Sequence, residues 1–270
     1  MKLIHLNLIR KIVFDQWRGY VLSFCLLFLF GYVNTWVLSA FSNKHDLNEF
    51  SRYIPKVLQL TAGIEGVRQL TLHHLIMLAF THPLPLAVIL TFSIGFAAKG
   101  FAGEIENGTI DLVMARPITR IQFAASYIGL IITGVAFLTL SVYYGTFVGA
   151  KTFGVLFPKI IIQRGALNYF MLHFAFAGLA TALSSVSGER SQVVDISIGF
   201  VILQIFFELF GKTIKVLNSL HYLTLFSCHI PTEILMTRHL NPLHISILTA
   251  VGASGFLFSL IYFNRRDLIK

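Results

Sequence analysis

Six separate stretches of this sequence are each long enough and apolar enough to cross a lipid bilayer. They cover residues 21–41, 74–98, 121–148, 165–187, 192–210 and 243–263. A membrane-spanning helix needs about 20 mainly apolar residues, because a rise of about 1.5 Å per residue must cover about 30 Å of hydrocarbon. Lipid offers the backbone no hydrogen-bond partners, so each stretch must be a helix or part of a closed barrel. The length of the stretches and their lack of strict alternation exclude the barrel.

The composition agrees with a membrane protein. Of the 270 residues 56% are hydrophobic and only 12% are charged, whereas soluble domains have about 25% charged residues. The net charge of +9 is explained by interfacial Lys and Arg near acidic headgroups. No basic soluble domain is present that could bind a nucleic acid. The sequence therefore predicts an all-α polytopic membrane protein with six transmembrane helices. Its expected environment is the lipid bilayer, and no nucleic acid is expected as a partner.

Residues 1–20 have the pattern of an amphipathic helix that lies in the plane of the membrane surface. Leu6, Ile9 and Trp17 fall along one side of such a helix, and Arg10 and Arg18 fall largely on the other. The alternative is an ordinary cytosolic extension. We expect an interfacial helix over 1–20, followed by a six-span domain over 21–270.

The positive charges orient the chain only weakly. Nearly equal numbers of Lys and Arg fall on the two sides of the membrane, so the positive-inside rule barely discriminates. Arg18, Arg265 and Arg266 lie close to span ends, which favours cytoplasmic N- and C-termini. The six spans and low charge content suggest a bacterial or archaeal inner membrane.

The connections between the spans differ in length and character. Segment 99–120 forms a loop on the predicted cytosolic side, whereas segment 211–242, on the outer side, is too apolar for a free loop. Pro231 and Pro242 break the outer segment into short pieces, which predicts a re-entrant hairpin before the last span. The run of residues 82–85, His-Pro-Leu-Pro, predicts a kink or a break in the second span.

The cytosolic loop carries the most motif-like sequence of the chain. Gly108 follows Asn107 as a turn signal and is free to take a positive φ. Thr109 is predicted to cap a new short helix with Asp111 in its first turn. The apolar face of this helix is predicted to consist of Ile110, Leu112, Val113 and Met114, and Arg116-Pro117 to end the helix.

A short helix of this kind, parallel to the membrane and with charged ends, suits docking against a soluble partner. The alternative is that it merely lies on the bilayer. The candidate docking residues are Glu104, Glu106, Gly108, Thr109, Ile110, Leu112, Val113, Met114, Arg116, Pro117 and Arg120.

The pattern Glu104-x-Glu106-x-Gly108-Thr109, then an apolar turn, then Arg116-Pro117-Ile118-x-Arg120, resembles the cytosolic loop of type-2 ABC transporter permeases. In that family the loop also joins the second and third of six spans. The resemblance implies a membrane-spanning subunit that dimerises, as a homo- or heterodimer, and binds two ATP-binding-cassette ATPase subunits. The loop would hold the coupling helix that receives the ATPase stroke. The first, second and fifth spans usually line the dimer interface in that family, and substrate is usually exported.

The chain itself lacks the means to hydrolyse ATP. A phosphate-binding loop needs G-x-x-x-x-G-K-[ST] between a strand and a helix. Gly211-Lys212-Thr213 supplies the end of this motif, but position 206 is Phe and the segment is the exit of a membrane span. No catalytic residue is predicted, and ATP and Mg²⁺ are expected in the partner ATPase.

A secondary transporter or channel that works without an ATPase is the alternative function. Such folds usually show inverted repeats and several buried charges at the bilayer midplane, and neither is evident here. The fifth span contains Asp195, near its cytosolic end, and Glu208, near its outer end. We expect both to be structural, with Glu208 paired to Lys212 four residues on.

Most of the ten histidines fall on the predicted outer side. Clustered imidazoles could bind a transition metal such as copper or zinc, although no pair has a spacing that enforces a site. Interfacial histidines without metal are the commoner case, so no metal site is predicted. The candidates, were one to form, are His73, His74, His221 and His229.

Overall fold

The computed structural model describes residues 4–40, 72–214 and 217–267 of the chain. This part is helical and contains no strand, and six of its helices are long and apolar enough to span a membrane. Most of the predicted loop 42–73 lies outside the described residues. The helices are α1 Leu6–Ser39, α2 Leu72–Met77, α3 Pro83–Ala98, α4 Glu104–Glu106, α5 Thr109–Met114, α6 Arg120–Thr152, α7 Lys159–Val186, α8 Arg190–Thr213, α9 Asn218–His221, α10 Pro231–Thr237 and α11 Pro242–Arg265.

The first span and the predicted interfacial helix form one continuous helix. α1 has 34 residues, which at about 1.5 Å per residue is about 51 Å, well beyond the hydrocarbon thickness of about 30 Å. The helix has no break near residue 20, so the expected boundary between two elements is not seen. The placement of residues 1–20 at the membrane surface stays a prediction.

The second span is interrupted where the sequence predicted. α2 passes into a 3₁₀ turn over Leu78–Phe80, and α3 begins at Pro83. His82 has extended backbone angles, and its Nδ1 accepts a hydrogen bond from the Leu84 N–H at 3.2 Å. Proline suits the first position of a helix because its missing N–H has no partner there in any case.

Two helix pairs, α1 with α6 and α7 with α11, make the most extensive contacts of the bundle. In the first pair a Cβ on Gly145 would collide with the Phe28 carbonyl, and the Ser141 hydroxyl donates to the Phe24 carbonyl oxygen at 2.5 Å. In the second pair Gly178 and Gly252 lie backbone to backbone. Small residues allow this close approach, which drives helix association where lipid removes the hydrophobic effect.

The spans differ in how much of their surface the bundle covers. In their most apolar windows, 61% of the residues are buried in α6 and α7, but only 22% in α1 and 17% in α8. α6 and α7 therefore form the centre of the bundle, and α1 and α8 lie at its edges.

The predicted hairpin before the last span consists of short helical pieces. α9, a 3₁₀ turn over Phe226–Cys228 and α10 follow one another, and α10 and α11 begin at Pro231 and Pro242. The predicted pair forms: Lys212 Nζ lies 2.6 Å from Glu208 Oε1. Oε2 of the same carboxylate accepts from the Thr224 hydroxyl at 2.8 Å. The depth of the hairpin in the bilayer stays a prediction.

Candidate functional site: the loop between the second and third spans

The loop is shorter than the sequence indicated, because its first part continues the second span. The helix passes from α3 into a π-helix over Lys99–Gly103 and then into α4. Only Asn107 to Thr119 depart from this helical extension, and this stretch contains α5. The helix of the second span therefore continues past residue 98 to Glu106.

The π-helix lies where a neighbouring ring presses on the backbone. A Cβ on Gly100 would lie 2.5 Å from the Tyr127 ring, so only glycine fits there. Ser184 of α7 completes the hydrogen bonding: its Oγ accepts from the Ala102 N–H at 3.1 Å and donates to the Ala97 carbonyl oxygen at 2.7 Å. Tyr127 and Ser184 lie inside apolar spans, and no local signal in the sequence marked them as part of the loop site.

Glu104 joins three parts of the site. Its Oε1 accepts a hydrogen bond from the Tyr127 hydroxyl at 3.0 Å, and its Oε2 accepts one from the Thr109 hydroxyl. The carboxylate therefore links the end of the second span to the third span and to α5. Hydrogen bonds to an ionised group are about twice as strong as neutral ones, so this carboxylate holds α5 in place.

The capping prediction for Thr109 is wrong. The N-cap position of α5 belongs to Gly108, which has the predicted positive φ, +66°. Thr109 is the first helical residue, and its hydroxyl is bonded to Glu104 instead of a backbone N–H. The Thr109 hydroxyl donates to a carboxylate, and a hydrogen bond to an ionised group is stronger than one between neutral groups. Asp111 lies in the first turn, as predicted.

The four apolar residues of α5 do not share one face. Ile110 is 2% exposed, and Val113 and Met114 are half-buried against the same core. Leu112, however, is 70% exposed. A helix this short turns one side to the protein, and the spacing of Leu112 places it on the other.

Glu106 links the site to the fifth span. Its Oε2 accepts the backbone N–H of Arg190, the first residue of α8, at 2.7 Å. An acidic group is stabilised at a helix N-terminus, where the backbone N–H groups have no helical partner. The helical extension that carries Glu104 and Glu106 thus contacts the third, fifth and loop helices at once.

Two arginines fix the other side of the loop. α5 ends at Met114, as the Arg116-Pro117 pair predicted, and both of these residues are exposed. Arg120 donates to the Arg266 carbonyl oxygen at 2.6 Å. Arg266 in turn donates to the carbonyl oxygens of Ser185 and Ser187 at 2.7 and 2.8 Å, so the ends of α7 and α11 are tied to the start of α6.

Aromatic side chains fill the space beneath the loop. Phe101 of the π-helix packs edge-on against Phe123 and Phe263, with ring centroids 6.0 and 5.0 Å apart. Tyr127 lies 4.9 Å from Phe123 in the same cluster. These rings therefore pack the end of the second span against the third and sixth spans.

A cleft of about 570 Å³ separates the start of α1 from the loop. Lys11 and Asp15 line it on the α1 side, and Lys99, Arg116 and Leu112 line it on the loop side. Both signs of charge are present beside an exposed apolar residue, which is the composition of a polar rim around an apolar contact.

The histidine candidates do not come together. His73 Nε2 lies 2.8 Å from the Leu156 carbonyl oxygen, with His74 adjacent in α2. His221 contacts Glu208 at 2.9 Å, and His229 is buried between Asn168 and Phe80. Among the described residues no group of three His, Cys, Asp or Glu side chains is placed to hold a metal ion.

A model of the family described as ABC-2 family transporter protein matches residues 10–265. No curated protein matches the sequence significantly. The match covers all six spans and the loop whose pattern resembled type-2 permeases. The chain therefore belongs to the ABC-2 transporter family, as a membrane-spanning subunit.

Proposed function

We propose that this chain is the permease subunit of an ATP-driven exporter, and that an ATP-binding-cassette ATPase docks on α5. The single observation that carries this proposal is Leu112, an exposed leucine on a short helix that is otherwise fixed to the bundle. Family membership supports association with such ATPases. ATP and Mg²⁺ would bind in the partner, and both termini of this chain would lie in the cytoplasm, at the inner membrane.

The contacts of the loop explain how force would reach the spans. A push on α5 is received by Glu104, through Thr109, and by the core beneath Ile110. Glu104 passes it to Tyr127 in the third span, and Glu106 passes it to the start of the fifth. Because these bonds join backbone and side-chain groups of four helices, α5 moves with the bundle and not as a free loop.

The test replaces the exposed leucine. Leu112→Asp places a charge at the centre of the proposed contact without disturbing the core. The matched control is Leu156→Asp, since Leu156 is 91% exposed at the opposite end of the bundle. We expect Leu112→Asp to lose co-purification of the cognate ATPase and the Leu156 variant to retain it.

Retention of the ATPase by Leu112→Asp, or equal loss in both variants, would contradict this docking site. Ion-coupled uptake by the purified chain without any ATPase would instead support a secondary transporter or channel. Ile110 and Met114 are poor probes, because both contact the core and a charge there would disturb folding.

A second copy of the chain would complete the transport path. α1 and α8 are the least covered spans, and a groove of about 380 Å³ runs between the first and second spans. Gln16, Ser23 and Thr91 line it beside Gly19. Small residues and Ser or Thr side chains are enriched where membrane helices pack against one another. This composition supports a homodimer whose copies face one another along this groove.

Cysteine cross-linking tests the homodimer. In a background with Cys25 and Cys228 changed to Ser, Ser23→Cys places a thiol in the groove. Ala253→Cys, on an exposed position of α11, is the control. We expect a thiol cross-linker to give a dimer with Ser23→Cys only. A monomer with both variants, or dimer with both, would contradict the proposed interface.

A further inference from the structure

A second groove, unrelated to the loop site, runs between the third and fourth spans. Its volume is about 450 Å³, within the range of about 300–1,000 Å³ that small-molecule sites occupy. Leu140 and Tyr144 of α6 and Leu167 of α7 line it and are 42–49% exposed, so the groove opens sideways from the bundle. It lies away from the first and fifth spans.

The groove has the depth of one lipid leaflet. On α6 it extends from Phe147 to Ala136, and on α7 from Lys159 to Phe170. Each interval is eleven residues, or about 16 Å of helix at about 1.5 Å per residue, and half of the hydrocarbon core is about 15 Å. α6 ends and α7 begins at the outer mouth, so the groove belongs to the leaflet opposite the loop.

The outer mouth carries positive charge. The Lys159 ammonium lies 5.6 Å from the centroid of the Phe147 ring, where the face of the ring attracts a cation. Lys159 is also the first residue of α7, and no side chain caps this helix within the described part of the chain. The positive end of the helix dipole and the ammonium therefore act at one place, where an anion is stabilised.

On α7 the wall of the groove changes from polar to apolar with depth. Gln163 lies one turn below Lys159, and below it the lining is Ala166, Leu167 and Phe170 on α7. Tyr143 and Tyr144 pack together on α6, with ring centroids 5.0 Å apart. Tyr is enriched at the level of the headgroups because its ring is apolar and its hydroxyl polar. This order matches a molecule with an anionic head and an apolar tail.

We propose that this groove binds one acyl chain of an anionic phospholipid of the leaflet opposite the loop, with its phosphate at Lys159 and the α7 N-terminus. A neutral or zwitterionic lipid fills the same apolar wall but gains less from the ammonium. The site does not depend on the ATPase or on dimerisation, so it stands or falls independently of the proposed function.

Native mass spectrometry of the purified chain tests the site, with phosphatidylglycerol and phosphatidylcholine as probes. We expect the chain to retain phosphatidylglycerol preferentially, and Lys159→Gln to weaken its retention about fivefold, as expected for about 1 kcal/mol per basic residue near the membrane surface. The control is Lys151→Gln, since Lys151 is exposed in the last turn of α6 and does not line the groove. Equal retention of both lipids, or equal loss in both variants, would overturn the proposal.

Filling the groove gives an independent measurement. Ala136→Phe occupies the deep end, and Ala253→Phe adds the same bulk to an exposed position of α11 outside the groove. We expect the Ala136 variant alone to lose bound phosphatidylglycerol, with the elution volume and helical circular dichroism of both variants unchanged. Full retention by a folded Ala136→Phe would place the lipid elsewhere and refute the site.

Discussion

At the loop end of the bundle, Glu104 and Glu106 tie four helices together while Leu112 stays exposed. At the hairpin end the polar groups are turned inward. Asn168 donates to the Cys228 carbonyl oxygen at 3.0 Å, and its Oδ1 lies 2.6 Å from His229. The loop end therefore leaves an apolar side chain exposed, whereas at the hairpin end Asn168 and His229 are hydrogen-bonded within the chain.

This difference indicates where each end can change. Contacts of the hairpin are buried, so moving it means breaking hydrogen bonds that water cannot easily replace. The loop end carries its stabilising bonds beneath α5 and its free surface above. We expect substitutions at the hairpin end to act mainly on stability, and those at the loop end mainly on coupling to a partner.

The largest effect is expected from Asn168→Leu at the hairpin end. Asn168 is 3% exposed, and leucine of similar size would leave the Cys228 carbonyl oxygen and His229 Nδ1 without a partner. Each unpaired buried group costs about 1–3 kcal/mol, so we expect a loss of about 4 kcal/mol. Thermal unfolding in detergent measures it, with Asn264→Leu, at an exposed position, as the control. A change below about 1 kcal/mol would show that the hairpin is not held by Asn168.

The second expected effect is a dependence of hairpin stability on pH. Burial lowers the pKa of His229 to about 4, and the Phe80 carbonyl and the Glu208 carboxylate oppose this shift only in part. The unfolded chain, with a histidine pKa of about 6.5, binds more protons between these values. The contribution of neutral His229 to the free energy of unfolding is therefore fully present above about pH 6.5. It falls by roughly 3 kcal/mol as the pH drops towards 4.

Comparison with His229→Asn isolates this contribution. We expect the unfolding free energy of the variant to change less between pH 7 and pH 4.5 than that of the unaltered chain. Equal pH dependence in the two proteins would assign the effect to other groups.

A smaller effect is expected from Glu104→Gln at the loop end. The amide keeps the shape of the side chain but loses the charge that strengthens the hydrogen bonds from Tyr127 and Thr109, so we expect a loss of about 1–2 kcal/mol. Stimulation of the cognate ATPase by the permease should fall by a larger proportion than stability. Glu104→Asp retains the charge on a shorter side chain. Its stimulation of the ATPase should lie between that of the unaltered chain and that of Glu104→Gln. Unchanged stimulation in Glu104→Gln would contradict a role in coupling.

The smallest effect on stability is expected from Leu112→Ser. Because Leu112 is 70% exposed, the free energy of unfolding should change by no more than about 0.5 kcal/mol, with a correspondingly small shift in melting temperature. The matched substitution at the hairpin end, Leu225→Ser at a residue 7% exposed, should cost about 2 kcal/mol. Similar melting temperatures for the two variants would remove the contrast between the two ends.

Several features of the loop and of the spans followed from local sequence signals. The positive φ of Gly108, the stop before Arg116-Pro117 and the break at His82-Pro83 depend on backbone chemistry within a few residues. The Glu208–Lys212 pair depends on helical spacing alone. Each of these was predicted because its cause lies within the same segment.

The features that the sequence did not predict have causes in residues distant along the chain or in the packing of the bundle. Thr109 does not cap α5, because its hydroxyl donates to the neighbouring Glu104. Leu112 is not on the buried face, because the bundle contacts only one side of α5. The second span ran past residue 98 because Tyr127 and Ser184, from two other spans, stabilise its continuation.

The sequence by itself determined that this chain forms six membrane-spanning helices and carries a permease-like loop, because apolar length and local turn chemistry are written in consecutive residues. Only the tertiary structure decided which groups from distant parts of the sequence meet. It brought Glu104 to Tyr127, Asn168 to His229 and Phe147 to Lys159. The reason is physical: an apolar span gives the same hydropathy on every side, and helix packing alone selects the side that is buried.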